Sequence, residues 1–420
     1  MQLELPDPCL IVLCGPAASG KSTFAASRFA PTEIVSSDTL RGWLCDDPDN
    51  QGINEQTFAL LHQIVEARLG HGRLTVVDAT NLEPKARAPL RRIARAARLP
   101  AHLLIFNANE QTLRSRNEAR ARRVPHGVLL RHRELAAALE ADLSGERWDG
   151  VHRLETASLD DVQVHRKPLA PLRLEERGPF DIVGDVHGCL TELDALVTEL
   201  GYEDGRHPQG RRLIFLGDLV DRGPSSVGVL RRVLPWLEDG RALFVPGNHD
   251  DKLWRWLQGR GVSLSGGLAT TVAEWNALTE GEDRELRARF DRLMQGAAPY
   301  LWLDGGDLLV SHAGLEEPDH GRIGAAVRAF CLYGKTTGRE IEGFPERLDW
   351  AADYSGRPAV VHGHVPVRRA EWRMNTVDID MGAVFGGALC AVRWPERTFV
   401  TVQAERSWVQ GQPRWETWTS

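Results

Sequence analysis

Lysine is nearly missing from this chain: Lys21, Lys85, Lys167, Lys252 and Lys335 are the only ones among 51 basic residues in 420 positions. The remaining basic side chains are arginines, whose planar fork suits phosphate, although genome base composition produces the same bias. A basic excess is missing too. With a net charge of −7 there is no global positive field, so any nucleic-acid contact must come from a local patch. The six cysteines (Cys9, Cys14, Cys45, Cys189, Cys331 and Cys390) include no Cys-x-x-Cys pair, which argues against a zinc knuckle and a disulfide framework. Cys9, Cys14 and Cys390 sit in apolar runs and read as small core residues. No apolar run approaches the ~18 residues of a membrane span and no charged, apolar leader opens the chain, so the expected compartment is the cytoplasm, without membrane contact. Internal repeats and low-complexity segments are lacking as well. What remains is an ordinary globular composition, 42% hydrophobic and 26% charged, at a length that suggests about two to three domains.

The apolar run from Cys9 to Cys14 leads straight into Gly15-Pro-Ala-Ala-Ser-Gly20-Lys21-Ser22-Thr23. This is the G-x-x-x-x-G-K-S pattern with a strand before it and a helix (Thr23 to Phe29) after it. Gly15 and Gly20 let the backbone curl so that its N–H groups face a polyphosphate, and the helix N-terminus adds partial positive charge. Lys21 is expected to reach the outer phosphates, with Ser22 and Thr23 beside it and the Ser22 hydroxyl on Mg²⁺. ATP with Mg²⁺ is the expected cofactor.

Glu33 to Asp38 reads as a second short strand ending in a carboxylate, followed by Arg41. Asp38 is placed to take a proton from an acceptor hydroxyl and Arg41 to hold the acceptor's phosphate. A helix N-cap from Ser37 or Asp38 fits the same spacing. Leu74 to Asn81 is a third strand, whose Asp78 stands near the Mg²⁺ position. After the strand Leu103 to Phe106, Arg116, Arg120 and Arg123 follow at i, i+4 and i+7, one face of a predicted helix. A solvated basic face is the ordinary reading of such a run. Its distance behind the Gly15–Thr23 loop favours a lid over the γ-phosphate.

From Arg153 to Gly178 prolines and mixed charges suggest a linker, which divides the chain into 1–165, a linker at 166–178, and 179–420. The second part repeats one pattern: an apolar strand ending in polar residues. Gly184-Asp185-Val-His187-Gly, Gly217-Asp218-Leu-Val-Asp221-Arg222-Gly and Gly247-Asn248-His249-Asp250 are followed by His312 and His364, each after its own strand. Between them, Trp254 to Met294 is helix-rich and reads as an inserted cap. Asp and Asn oxygens with imidazoles are the donors that a pair of divalent metals takes. Asp185 and His187 suit one metal, Asp218 suits a bridging role, and Asn248, His312 and His364 complete the second. Two cations about 3.5–4 Å apart hold a hydroxide in line with phosphorus. His249 is the candidate acid for the leaving oxygen, Asp221 its orienting partner, and Arg222 a phosphate clamp.

The motifs GDVHG, GDLVDRG, GNHD, SHAG and GHVP resemble those of the calcineurin-like metallophosphoesterases, in the branch that contains phosphoprotein phosphatases and diadenosine polyphosphate hydrolases. Pro366 stands where the broader superfamily often has a second histidine, which fits that branch; His362 matches no ligand position. The resemblance implies two divalent metals, manganese being expected. The kinase-like and phosphoesterase-like halves together resemble the bacterial polynucleotide kinase–phosphatases of RNA repair. That resemblance implies kinase residues at Lys21, Ser22, Asp38, Arg41, Arg116 and Arg120. It implies a phosphatase set at Asp185, His187, Asp218, Arg222, Asn248, His249, His312, His364 and Asp380. No Lys-x-Asp-Gly motif of an attached ligase occurs.

The expected fold is therefore α/β: a P-loop parallel-sheet domain followed by an α/β two-layer sandwich metallophosphoesterase domain. The expected activity is end healing, with ATP phosphorylating a 5′-OH while 2′,3′-cyclic, 2′- or 3′-phosphate is removed. RNA ends, or DNA ends, would be the partner, with a separate ligase and a homodimer as further expectations. Two other readings stand beside it. One is a dinucleoside-polyphosphate hydrolase or phosphoprotein phosphatase fused to a small-metabolite kinase. The other is a phosphatase with an ATP-gated, non-catalytic P-loop module.

Overall fold

The run Leu10–Cys14 is buried at every position, as a strand covered on both faces must be, and the first half of the chain is built around it. The structure, a computed structural model, describes residues 1–119, 123–341 and 344–409. Met1–Leu169 with Gly321–Gly324 form one compact unit; Ala170–His320, with the described residues from Ala325 onward, form a second.

In the first unit the strands are β1 (Gln2–Asp7), β2 (Leu10–Cys14), β3 (Ile34–Ser36), β4 (Thr75–Asp78), β5 (Ala101–Asn107), β6 (Gly150–Glu155) and β7 (Gln163–Pro168). The sheet runs β3-β4-β2-β5-β6, parallel throughout. The helices are α1 (Lys21–Arg28), α2 (Ser37–Cys45), α3 (Asn54–Gly70), α4 (Pro84–Ala96), α5 (Glu110–Ala119) and α6 (His126–Leu143). Parallel strands need crossovers of this kind. They gather the loops after β2, β3 and β4 at one edge of the sheet, where ligands of open α/β sheets bind. β7 pairs with β1 in parallel, so the stretch 166–178 begins inside a strand of this unit.

Arg123 does not lie on one helix face with Arg116. Among the described residues α5 ends at Ala119, Arg120 lies outside them, and Arg123 stands in non-helical backbone before α6. The physical cause is Pro125, the N-cap of α6, which disfavours helix at the residue before it. Asn117 pins the connection: its amide donates to Val124 O at 3.0 Å and accepts from Val124 N at 2.9 Å.

The second unit has two sheets. The first contains β8 (Phe180–Val183), β9 (Arg212–Phe215), β10 (Ala242–Phe244), β17 (Ala388–Trp394) and β18 (Thr398–Gln403), in the order β10-β9-β8-β17-β18. The second contains β11 (Tyr300–Leu303), β12 (Leu308–Ser311), β15 (Ala359–His362) and β16 (Thr376–Asp378), in that order. A separate hairpin pairs β13 (Thr336–Ile341) with β14 (Phe344–Arg347). One core joins the sheets face to face, through Phe180, Ile182, Ile214 and Val392 of the first and Leu301, Val310, Val361 and Val377 of the second. Burying each such side chain stabilises the fold by about 1.5–3 kcal/mol relative to exposing it.

A second core covers the outer face of the first sheet with α7 (Leu190–Leu200), α8 (Ser226–Glu238), α9 (Asn248–Leu257), α10 (Leu268–Asn276) and α11 (Glu280–Gly296). The helices of Trp254–Met294 are part of that layer, not an inserted cap. Leu268, Trp275, Phe290 and Met294 share one buried cluster with Val229 and Leu230 of α8, and apolar faces that deep are core by construction. α12 (Ala325–Tyr333) packs on the outer face of the second sheet through Val327 and Cys331. The unit is thus a mixed α/β sandwich, two sheets with helices outside each. Among the described residues, no helix is long and apolar enough to cross a membrane.

Candidate functional site

Strands β8, β9 and β10 run parallel, as do β12, β15 and β16. Each set therefore delivers its C-terminal loops together, and those loops carry the residues singled out by sequence. Five of them hold left-handed backbone without being glycine: His187 (φ 45°), Asp218 (48°), Asp221 (77°), Arg222 (71°) and His364 (77°). That conformation costs of order 1 kcal/mol each and persists where surrounding structure over-determines it. The β9 and β10 loops meet backbone to backbone at Gly217 (φ 87°) and Gly247, where a Cβ on either would run into the other loop.

The imidazoles declare their protonation by their partners. His187 Nδ1 lies 2.8 Å from Val220 O, and His312 Nδ1 lies 2.9 Å from Leu216 O. A carbonyl only accepts, so both Nδ1 atoms carry the proton and both Nε2 atoms present lone pairs. Asp218 Oδ2 stands 3.5 Å from each of those Nε2 atoms. His312 Nε2 also faces Asn248 Oδ1 and His364 Nδ1, each at 3.1 Å. Lone pairs converging on lone pairs repel unless positive charge stands among them; at His187 Nε2 the Arg222 guanidinium supplies some of it, and an Nδ1–H anchored on a carbonyl is the usual support of a metal-binding histidine. Among the described residues, two groupings have donor atoms within 4.8 Å of one another, His187/Asp218/His249 and Asp218/His312/His364. They share Asp218. The donor set thus fits a pair of divalent cations with Asp218 between them.

Asp185 belongs to neither grouping, although its carboxylate accepts from His364 N at 3.3 and 3.2 Å. Burial raises the Asp185 carboxyl well above its ordinary range, and the charges of Asp380 and Asp218 push the same way. Asp218 is raised as well, by burial and then Asp250. Asp380 is raised by burial to about 6 and accepts from Gly382 N at 2.9 Å. Burial lowers His187 and His364, with Arg222 and Arg347 respectively as the next causes, and lowers His312 to about 3. Burial is the first cause of each of these shifts, and a cation among the groups would offset those of the carboxylates.

His249 Nδ1 is 2.7 Å from Asp221 Oδ2, and Asp221 is held in turn by Thr271 and Ser226. Thr271 Oγ1 donates to Asp221 Oδ1 at 2.6 Å, and Ser226 Oγ accepts from Asp221 N at 2.9 Å. The pair therefore has the geometry of an oriented imidazole. Burial lowers His249 to about 4 against the pull of Asp221. In that state Nε2 accepts, and donating a proton requires the charge of an arriving phosphate to raise it. The Arg222 guanidinium contacts His187 Nε2 and lies over the Phe385 ring.

Sequence reasoning missed Asp250. Its Oδ2 accepts from Asp218 N at 2.7 Å and Gly247 N at 2.9 Å, and its Oδ1 from Leu219 N at 3.0 Å. One fully buried carboxylate thus ties the loop of Asp218 to the loop of Asn248. Its place in Gly247-Asn-His-Asp250 was the only signal. Asp250→Asn turns one acceptor into an N–H₂ group facing amide donors. It is expected to cost about 1–3 kcal/mol, read as a lower Tm in metal-free protein, and to slow phosphate release by moving Asp218. An unchanged Tm would refute this tie. Thr271 and Arg347 were missed too, and no sequence signal pointed to either.

In the first unit a cleft of 1710 Å³ is lined by Lys21, Ser22, Thr23, Asp38, Arg41, Asp78, Arg116 and Arg123, among others. Lys21 Nζ folds back onto Gly15 O (2.8 Å) and Pro16 O (2.7 Å). Gly20 (φ 96°) precedes it at the N-terminus of α1. Ser36, not Ser37 or Asp38, stands at the N-cap of α2, and Asp38 sits in its first turn. The Asp38 carboxylate, half exposed, pairs with Arg41 Nη1 at 2.7 Å. Asn54 Oδ1 steadies Arg41 by accepting from Nη2 at 2.9 Å and Nε at 3.1 Å. Arg116 reaches across the loop to Ser19 O (3.5 Å) and Thr156 O (3.3 Å).

Comparison with known proteins agrees with this division. Residues 10–139 match the family model of an AAA domain, and residues 178–387 match that of the calcineurin-like phosphoesterases. A bis(5′-nucleosyl)-tetraphosphatase PrpE [asymmetrical] of Halalkalibacterium halodurans is 48% identical over 232 residues, 54% of this chain and 94% of that protein. The proteins of the same name from Anoxybacillus flavithermus and Geobacillus thermodenitrificans are 43% and 46% identical, over 55% and 53% of this chain and 96% and 93% of their own. Calcineurin-like phosphoesterases use divalent metals, and the converging donors here could hold such ions. With half of its length in that family model and 48% identity along nearly all of a relative, this chain belongs to the calcineurin-like phosphoesterases.

Proposed function

We propose that the second unit hydrolyses nucleoside polyphosphates, splitting a dinucleoside tetraphosphate asymmetrically, while the first unit moves the γ-phosphate of ATP to a hydroxyl acceptor. The observation that carries the first half is the 48% identity to a tetraphosphatase along 94% of that relative's length. Asp185, His187, Asp218, Asn248, His312 and His364 would hold two divalent metals, manganese being our choice. Metals so held supply a hydroxide at neutral pH and offset charge on the reacting phosphate. Arg222 clamps a phosphate oxygen, and His249, set by Asp221, serves the leaving oxygen. A phosphoanhydride leaves as a stabilised phosphate anion, so it asks less of that acid than an alkoxide does.

A second reading, the healing of RNA ends, is favoured by Asp38 and Arg41 standing in the cleft of Lys21 on the same chain as a phosphoesterase. RNA cleaved by transesterification carries a cyclic phosphate on one side and a 5′-OH on the other, and these two activities would repair both. One pair of assays separates the readings. The protein with Mn²⁺ is given diadenosine tetraphosphate, and separately a labelled oligonucleotide with 5′-OH and 2′,3′-cyclic phosphate ends plus ATP. Equal amounts of ATP and AMP from the first substrate are the expected result. Turnover of the oligonucleotide ends without any cleavage of the tetraphosphate would replace this proposal with end healing.

A further inference from the structure

A cavity of 650 Å³ opens beside His364 within the second unit, with Gly363, His364 and Val365 in its wall. Its size lies in the range that holds nucleotide-sized ligands. Its lining carries five cationic side chains and three carboxylates, and one of the five, Lys335, pairs with Glu316 outside the lining at 2.6 Å, in a chain whose net charge is −7. Two of the carboxylates face cationic or titratable neighbours inside the cavity. Asp349 pairs with Arg373 at 2.8 Å, and Asp378 Oδ2 lies 3.6 Å from His362 Nδ1. Arg347 lines the same cavity as His364. Arg368 and Arg369 are exposed at the cavity wall.

A phosphate monoester needs only the metal donors and Arg222. Arginines in the wall of a cavity that His364 also lines serve a substrate that carries more phosphate beyond the reacting one, because each guanidinium matches a phosphate's paired oxygens. We infer that this cavity is the subsite for the phosphates adjoining the scissile one, with Arg368 and Arg369 determining affinity for a polyphosphate chain. The inference rests on the reading of the second unit as a polyphosphate hydrolase.

The test uses the full chain with Mn²⁺ and p-nitrophenyl phosphate, an ester too short to reach the cavity. Tripolyphosphate is the competing probe, with free metal held constant. Only the second unit releases p-nitrophenol, so tripolyphosphate bound at the Lys21 loop does not enter the readout. The double variant Arg368→Ala/Arg369→Ala should weaken inhibition by tripolyphosphate roughly 10–100-fold, the loss of one to two charge-assisted contacts. Its kcat and KM for p-nitrophenyl phosphate should stay at the wild-type values. Equal inhibition constants in wild type and variant would overturn the subsite. If the inhibition constants differ as expected but the wild type leaves diadenosine tetraphosphate intact, the subsite stands and the tetraphosphatase reading falls.

Discussion

Replacing Asp218 with alanine is expected to lower phosphate release from every substrate of the second unit by on the order of 10³ or more. The reason is geometric. Asp218 Oδ2 stands 3.5 Å from both His187 Nε2 and His312 Nε2, and it is the one member common to both donor groupings. Its other oxygen accepts from His249 N at 2.9 Å, so the substitution also loosens the loop that presents Asn248 and His249. Bound metal, measured by mass spectrometry of the desalted protein, should fall together with activity. Asp218→Asn keeps the shape and the amide contact but removes the charge, and it should retain the fold while still losing metal. ATP-dependent transfer should survive in both variants, since Lys21, Asp38 and Arg41 belong to the other unit. Full metal content with activity within about tenfold of wild type would show that Asp218 does not bridge.

Lys21→Ala should abolish phosphoryl transfer by the first unit, a loss of about 10³, and leave phosphate release intact. Lys21 Nζ is turned onto the Gly15 and Pro16 carbonyls, at the mouth of a helix whose N-terminus favours anions. A cation in that position neutralises charge that builds on a transferring phosphate. Asp38→Asn separates two roles that share one residue. As a general base, Asp38 contributes about 10²–10⁴ in rate. As a partner that merely steadies Arg41, it can be replaced by an amide oxygen with little loss of kcat and a higher KM for the acceptor. A variant with normal kcat would assign the carboxylate to positioning alone. A single substitution among Lys21, Asp38 and Asp218 that removes both activities from folded protein would refute two independent sites.

The chemistry-bearing residues were legible because they are local. A strand that is apolar throughout and ends in Gly-Asp or Ser-His announces both its burial and the loop that follows it. Parallel strands then leave those loops at the same edge. So Gly15–Thr23, Asp185, His187, Asp218, Asn248, His312 and His364 could be singled out as candidates without coordinates, and the α/β class could be read there too, whereas the donor groupings that leave Asp185 aside needed the fold. The placement of Asp38 in the first turn of α2, with its carboxylate on Arg41, was not decidable from spacing, since a cap and a base ask for the same residue three positions before arginine.

Other features exist only through contacts between distant segments, to which no window of sequence is sensitive. Asp250 gathers amides from Gly247, Asp218 and Leu219, and two of these lie more than thirty positions away. Thr271 reaches Asp221 from α10, across fifty positions. Trp254–Met294 looked like an insertion because its helices follow the third motif with none of their own, yet their apolar faces complete the core of the first sheet. The Arg116–Arg123 spacing promised one helix face, yet Arg123 stands in non-helical backbone before α6, next to Val124, which Asn117 and Pro125 hold. Periodicity reports which face of an element is buried. What that face is buried against, and which charge is brought beside which, follows from chain topology, and that was decided only in the folded molecule.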